Sequence, residues 1–412
     1  MDKIVIRNLY KVFGPDPSKA IKLLEDGLEK DEVFEKTKMT VGVNNAEFAI
    51  QEGEIFVIMG LSGSGKSTMV RMINRLIEPS SGSVIINGKD ITQMNQDDLV
   101  QFRLKHMSMV FQSFALMPHL TVLENAAFGL ELAGEPAGKR RERAMEALKQ
   151  VGLEGWENQL PKQLSGGMQQ RVGLARGLAV DPDIMLMDEA FSALDPLIRT
   201  EMQDELLKLQ ENNRRTIVFI SHDLDEALRI GDRIAIMEGG RVVQVGTPEE
   251  ILQNPADDYV RAFFRGVDPT NVICAGDIAI KSYPTIIKTK QGGIRASLEL
   301  LNAKDYSYGY VLNADRKFLG AVSVDSLGKA VEEGRAEQPI DICYLPGVKT
   351  VSIEDNMQEI LAEVAQRPWP VPVTNGGDRY MGVVSKNRFL KTLHKSDQNG
   401  NGNSLATEAS HV

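Results

Sequence analysis

The stretch "EIFVIMGLSGSGKSTMVRMINRLI", residues 54–77, decides how this chain folds. It begins as an apolar run, "EIFVIM" (54–59), passes through "GLSGSGKST" (60–68) and ends in an amphipathic piece. A short apolar run reads as a strand buried on both faces. A glycine-rich turn between such a strand and a helix is the setting of the P-loop pattern. The glycines let backbone N–H groups point at phosphate oxygens, and the helix N-terminus adds about half a positive charge. Lys66 then supplies a point charge to the β- and γ-phosphates, and Ser67 offers its hydroxyl to Mg²⁺. A tight turn that binds nothing is the plainer reading; strand, glycines, Lys and Ser in register speak against it.

Outward from this stretch, "DIMLMDE" (183–189) and "TIVFIS" (216–221) are further short apolar runs. The alternation of strands and helices from 41 to 250 favours an α/β fold with a largely parallel sheet. Asp188 ends one of these strands, where a buried carboxylate is costly unless it meets a charge, and a hydrated Mg²⁺ is the natural partner. Glu189 follows and can orient or deprotonate an attacking water, a salt bridge at a strand end being the bland alternative. His222 follows "TIVFIS" and is expected beside the same crevice, at the carboxyl ends of the strands. A second glycine turn, "QLSGGMQQR" (163–171), lies far along the chain. One such turn is enough to hold a phosphate chain. Ser165, Gly166 and Gly167 can present N–H groups at the start of a helix, as a second anion site.

The 412 residues suggest two or three domains. Lys plus Arg number 47 against 57 Asp plus Glu, a net charge of −10. That argues against a nucleic-acid partner, because phosphate affinity needs a net basic face. No apolar run approaches the ~20 residues that span a bilayer, and no signal peptide opens the chain. Cys274 and Cys343 form no metal spacing and read as reduced core thiols. Residues 2–13 read as a strand. A polar, helically spaced insertion follows at about 15–40, with Asp16 or Ser18 as its N-cap. The chain is mostly helical over about 90–178, "RRERAMEALKQVG" being the clearest amphipathic piece. Beyond "NPADDYVRAFFRGVDPT" the composition changes and the chain repeats itself. "NADRKFLGAVSVDSLGKAV" (313–331) is similar to "NGGDRYMGVVSKNRFLKTL" (375–393), with Gly320, Ser323, Val311 and Lys329 mapping onto Gly382, Ser385, Val373 and Lys391. A tandem strand–helix unit implies a pseudo-two-fold module. The polar end, 396–412, reads as disordered.

"GLSGSGKST", "LSGGMQQR", "IMLMDEAFSALD" and "SHD" occur in the order and spacing of the ATP-binding-cassette (ABC) ATPases, which residues 1–265 resemble. The resemblance implies ATP and Mg²⁺ as cofactors. It makes Gly60, Ser62, Gly63, Ser64, Gly65, Lys66, Ser67 and Thr68 the P-loop, and Gln112 the glutamine that touches Mg²⁺ and faces the membrane partner. Asp188 becomes the Walker B carboxylate, a ligand of Mg²⁺ together with Ser67 and Gln112, Glu189 the general base, Ser192 to Asp195 the D-loop and His222 the switch histidine. It also makes Ser165, Gly166, Gly167 and Gln169 a signature that clamps ATP held by the other chain of a head-to-tail homodimer; Met168 departs from the usual "LSGGQ", but Gln169 and Gln170 follow. For the aromatic that stacks on adenine, Phe13 is the sequence match, while the insertion leaves Phe34 or Val41 as alternatives.

The C-terminal repeat resembles a pair of cystathionine-β-synthase-type (CBS) domains, so that the whole reads as a P-loop α/β cassette with a helical subdomain followed by an α+β tandem. The expected divisions are a linker at 266–280, a first CBS domain at 281–335 and a second at 336–395. Ser326 and Arg388 stand where many CBS domains place a ribose-binding Asp, which argues against ordinary AMP or ATP binding there. Cassette, insertion and tandem together resemble the ATPase subunits of glycine betaine/proline importers that answer osmotic stress. That implies a permease subunit with a substrate-binding domain and a place on the cytoplasmic face of the membrane. The competing reading is a soluble cassette ATPase acting on nucleic acid or ribosomes; another makes the tandem purely a dimerisation element. Two stretches of the tandem are basic and free of acidic residues: Lys281, Lys288, Lys290 and Arg295, then Arg379, Lys386, Arg388, Lys391 and Lys395. They are candidates to hold an anionic lipid surface in a salt-dependent way, ordinary solvated surface being the alternative. The family also suggests a cyclic dinucleotide at the tandem.

Overall fold

The computed structural model describes residues 1–264, 268, 270, 272–288 and 293–400. The chain divides into two compact units, Met1–Phe263 and Phe264–Val412.

The first unit is built on two sheets. One has six strands in the order Arg241–Gly246, Arg233–Glu238, Ile55–Met59, Thr216–Ser221, Ile184–Asp188 and Met107–Phe111. Neighbours are parallel except at the Arg241–Gly246 edge. Ile55–Met59, Ile184–Asp188 and Thr216–Ser221 are buried at every position. That is why they read as unbroken apolar runs rather than alternating ones. The second sheet is antiparallel, in the order Thr40–Gln51, Asp2–Phe13, Ser81–Ile86 and Lys89–Asp90. Its inner face, with Ile4, Ile6, Phe48 and Ile50, shares one core with Phe56, Ile58, Leu186 and Val218 of the first sheet. Phe48 stacks on Phe56 with ring centroids 5.3 Å apart.

The insertion forms two helices, Pro17–Glu25 and Lys30–Thr37, with Asp16 as the first N-cap accepting from the Lys19 N–H at 3.3 Å. It sits at the tip of an antiparallel pair in which Phe13 lies opposite Thr40. Its apolar side chains make a small core of their own with Tyr10, Val12 and Met39. The stretch expected to be helical from about 90 is interrupted. Met107–Phe111 is the edge strand of the parallel sheet, and the helical part proper is Val122–Leu132, Ala137–Gln150 and Gly166–Ala179. "MSMVF" is too short to show whether it is a buried strand or part of a buried helix; its pairing with Ile184–Asp188 decides.

The second unit holds two three-stranded sheets, Thr285–Ile287, Tyr308–Leu312, Phe318–Ser323 and Val351–Ser352, Val371–Thr374, Tyr380–Val384. The repeat is preserved down to its irregularity. Val311 faces Gly320 and Val373 faces Gly382, and in both hairpins the register slips at the next residue. The hairpins meet at a Lys317–Arg379 bridge, where the Phe318 N–H donates to the Asp378 carbonyl and the Tyr380 N–H to the Arg316 carbonyl, each at 3.0 Å.

Three expected boundaries shift. Residues 273–280, read as linker, are folded onto the second sheet: the Ile280 N–H donates to the Val383 carbonyl at 2.8 Å and the Met357 N–H to the Ile273 carbonyl at 2.9 Å. Residues 340–345, assigned to the second domain, belong to the first. Ile340 and Cys343 pack with Val311 and Val322, and the Leu345 N–H donates to the Ala321 carbonyl at 2.8 Å. Each repeat's lead-in thus crosses to the other repeat, an exchange that no local pattern reveals. Finally, the helix Lys386–Gly400 runs into the stretch read as a disordered tail. It is anchored by buried Phe389, and helix propagation adds one bond per residue once nucleated. Residues 401–412 of that tail lie outside the described residues.

Candidate active site

The P-loop leaves the end of Ile55–Met59 and feeds directly into the helix Lys66–Ile73. Two of its glycines are required by close approach. A Cβ at Gly60 (φ +151°) would lie 2.2 Å from the Met237 carbonyl oxygen, and one at Gly65 (φ +100°) 2.3 Å from that of Gly42. The loop wraps Lys66, which is buried and donates to the carbonyls of Gly60 (2.8 Å) and Leu61 (3.1 Å). Burial pulls the ammonium pKa down, while the carboxylates of Glu189 and Asp188 push it back up.

In front of the helix N-terminus opens a cavity of about 640 Å³. Leu61, Ser62, Gly63, Gly65, Lys66, Ser67 and Thr68 line it, and so do Glu189 and His222. Gly60 and Ser64 are not among its lining residues; Ser64 is buried, with no hydrogen-bond partner for its hydroxyl among the described residues. The remaining wall comes from Phe13, Thr40, Val41 and Gly42. Of the three adenine-stacking alternatives, Phe13 and Val41 are therefore at the cavity. Phe34 is not among its lining residues, and its ring carries the Lys38 ammonium at 5.6 Å. The reason is topological: the insertion grows from a hairpin tip and leaves Phe13 paired with Thr40.

Asp188 ends its strand next to the P-loop, accepts from the Ser67 hydroxyl at 3.1 Å and meets Arg71 at 3.4 Å. Two hard oxygen donors side by side fit Mg²⁺. Gln112, expected to touch the metal, bonds the turn that follows Asp188. Its Nε2 donates to Glu189 Oε2 and Ser192 Oγ, each at 3.1 Å. It leaves the edge strand Met107–Phe111, beside Ile184–Asp188, and so reaches the turn that follows Asp188. Glu189 occupies that turn with φ +47°, a left-handed conformation that costs a residue with a side chain about 1–3 kcal/mol. Its Oε1 lies 3.4 Å from His222 Nδ1.

The second glycine turn stands apart from this cavity. Ser165 caps the helix Gly166–Ala179 by accepting from the Met168 N–H at 3.3 Å, and Ser165 and Gly166 are exposed. Gln169 Nε2 donates to the Leu164 carbonyl at 3.2 Å. None of these residues lines the cavity of their own chain. In the D-loop stretch, Ser192 Oγ donates to the Glu189 carbonyl at 2.9 Å, and Asp195 caps the helix Pro196–Asn212. Sequence reasoning passed over three arginines. Arg71 touches Asp188. Arg176 donates to the carbonyls of Ala115 (2.6 Å) and Phe114 (3.1 Å), both at positive φ, and so holds the loop after Gln112. Arg199 donates to Asp223 at 2.9 Å. Only position in the helices after each motif could have pointed to them.

In the second unit Lys281, Arg295, Lys386, Arg388 and Lys391 are exposed, and Lys290 lies outside the described residues. Lys288 is not a free cation: it bonds Asp341 at 2.6 Å and holds that carboxyl below its usual range. Its partner lies 53 residues away, too far for a local charge pattern to show.

Residues 43–192 match the ABC transporter family. Over 398 residues, 96% of this chain and 99% of the relative, the sequence is 56% identical to the glycine betaine/proline betaine transport system ATP-binding protein ProV of Escherichia coli (strain K12). The chain belongs to the ABC transporter family, as an ATPase subunit. This ABC ATPase is also 50% identical to the glycine betaine transport ATP-binding protein OpuAA of Bacillus subtilis (strain 168), over 95% of its own length and 92% of the relative. Among solved structures, the dimeric structure of a bacterial ABC transporter cassette is similar at 35% identity and a TM-score of 0.50, over 59% of this chain and 98% of that one. The same cassette bound to ADP and phosphate, in a post-hydrolysis state, matches equally. Among the described residues of the ABC ATPase, no helix is long and apolar enough to cross a membrane.

Proposed function

We propose that this ABC ATPase powers uptake of a quaternary-amine osmoprotectant, glycine betaine first and proline betaine or proline next, through a separate membrane permease. The observation that carries the reading is the near-full-length identity to glycine betaine ATP-binding subunits, which spans the second unit as well as the cassette. Both of these relatives are transport ATP-binding proteins, which does not favour a soluble ATPase acting on nucleic acid or ribosomes.

The P-loop amides and Lys66 hold the β- and γ-phosphates, and Phe13 stacks on adenine. Glu189 takes a proton from water as its oxygen attacks the γ-phosphorus and the bond to the β–γ bridging oxygen breaks, leaving ADP and phosphate. His222 steadies Glu189 and a γ-phosphate oxygen, and Gln112 aligns Glu189 from the other side. Ser67 and Asp188 hold the Mg²⁺ that travels with ATP, which supplies positive charge to the phosphates. Two copies work head to tail on the cytoplasmic face of the membrane. Ser165, Gly166, Gly167 and Gln169 of one cover the phosphate chain held by the other; the exposure of Ser165 and Gly166, and the position of all four away from their own chain's cavity, support this. Incomplete half-sites make ATP the ligand that shifts the pair towards its closed state.

The second unit is read as a CBS-type regulator. Lys281, Arg295, Lys386, Arg388 and Lys391 hold an anionic lipid face at low ionic strength, each worth about 1 kcal/mol within a Debye length that is ~10 Å at 0.1 M. A cyclic dinucleotide is a second input at the same unit. The test is labelled glycine betaine uptake into anionic liposomes carrying the complex purified from membranes by this chain. Uptake should need ATP, yield to betaine competitors and rise with internal salt, at lower salt when those cations are neutralised. ATP-independent uptake or indifference to betaines would remove the transport reading, and an unmoved salt midpoint the regulatory one.

A further inference from the structure

The polar contacts around Glu189 continue beyond the cavity wall. Asp223, next to His222, accepts from Arg199 Nη1 through Oδ2 at 2.9 Å. Its other oxygen caps the helix Leu224–Ile230 by accepting from the Glu226 N–H at 3.3 Å. The second amino group of Arg199 faces the turn after Glu189: Nη2 donates to the carbonyls of Leu194 (3.3 Å) and Ser192 (3.5 Å). Ser192 donates to the Glu189 carbonyl at 2.9 Å, and Glu189 Oε1 lies 3.4 Å from His222 Nδ1. Glu189, His222, Asp223, Arg199 and Ser192 thus close into a ring. Four members sit on the two turns at the carboxyl ends of the neighbouring strands Ile184–Asp188 and Thr216–Ser221. Arg199 stands in the first turns of the helix Pro196–Asn212 and spans both.

We infer that Arg199 is a positioning residue for ATP hydrolysis, which ties the turn carrying Ser192 to the turn carrying His222 so that His222 and Glu189 are held as one unit. The inference rests on the roles proposed above for those two residues. A guanidinium suits this task because its planar fork offers donors on separate nitrogens in fixed geometry. A lysine keeps the charge but is a single point, able to serve Asp223 or the carbonyls and not both ends in register. The pair is sheltered, with side-chain exposures of 26% for Arg199 and 34% for Asp223. Its backing is firm: buried Glu226 accepts from Ser221 Oγ and from Gln203 Nε2 directly behind the His222 turn. A displacement of about 1 Å at a reacting group can cost 10²-fold in rate, so a link between two loops that touches no substrate can still govern turnover.

The experiment compares Arg199→Met, Arg199→Lys, Asp223→Asn and the Arg199→Met/Asp223→Asn double variant in the purified full-length protein. Asn at position 223 keeps the helix cap and removes only the charge, so it tests the link even if Arg199→Met folds poorly. The readouts are kcat and KM for ATP hydrolysis, the equilibrium nucleotide Kd and the melting temperature. Arg199→Met and Asp223→Asn should each lower kcat by about 10- to 100-fold with Kd within about twofold. Arg199→Lys should recover little, and the double variant should be no slower than the slower single, because both break one link. Wild-type kcat in either single variant, losses that multiply in the double, or a parallel loss of nucleotide affinity would each overturn the inference. Glu189→Gln, assayed alongside, separates the two levels. If it stops turnover and the Arg199 variants do not, only the Arg199 inference fails; if it turns over normally, the reading of the site itself fails.

Discussion

Replacing Glu189 with Gln exchanges one carboxylate oxygen for an amide at unchanged length. Both neighbours can be kept: the amide oxygen accepts from Gln112 Nε2, now at 3.1 Å, and the amide NH₂ faces His222 Nδ1, now at 3.4 Å. Gln meets the same left-handed cost as Glu at φ +47°. Stability should therefore move by less than about 1 kcal/mol, the worth of one ordinary hydrogen bond. What disappears is the basic oxygen. A positioned general base supplies about 10²–10⁴ in rate, or about 2.7–5.4 kcal/mol of barrier. Single-turnover phosphate release should fall by that factor, and ATP-bound dimer should accumulate on size exclusion. Glu189→Gly is the companion. It removes left-handed strain of about 1–2 kcal/mol and returns about 0.4–1 kcal/mol through a freer unfolded chain. It should melt at or slightly above the wild-type temperature with turnover lost. A Gln variant within about tenfold of wild-type turnover, or a Gly variant that melts well below wild type, would refute the reasoning about this position.

Lys66→Ala removes a charge-assisted contact worth about 1.5–3 kcal/mol, so nucleotide Kd measured by titration should weaken by about 10- to 150-fold; unchanged affinity would move Lys66 out of the ground-state site. Ser165→Ala should cost about 1 kcal/mol through the lost cap and impair hydrolysis, with ATP Kd of the isolated monomer unaltered. A weaker monomer Kd would count against the cross-dimer role. Glu226 carries a pKa raised chiefly by burial, against the opposing bonds from Ser221 and Gln203. Its folded pKa lies above the unfolded one, so its stabilisation is fully present in acid and is lost as pH rises through the raised value. Glu226→Gln, neutral throughout, should gain melting temperature relative to wild type from acid to neutral pH; a constant difference across that range would contradict the shift.

The P-loop, the strand before it, and the order Asp188–Glu189 were legible in the sequence because each depends on adjacent residues. Unbroken apolar runs mark strands covered on both faces, and Gly60 and Gly65 mark backbone that comes within 2.3 Å of where a Cβ would stand. The repeat was legible for the same reason, since Val311–Gly320 and Val373–Gly382 pair within single hairpins. The tertiary structure decided what depends on neighbours distant in the chain. It placed Met107–Phe111 in the sheet, chose Phe13 and Val41 over Phe34 for the cavity wall, and turned Gln112 to Glu189, 77 residues away. It crossed the lead-ins of the two repeats, gave Lys288 to Asp341 and joined Arg199 to Asp223. Backbone period and permitted φ are local properties that a residue shares with its immediate neighbours. Which side chain meets which is settled only when the sheet brings separate strand ends side by side.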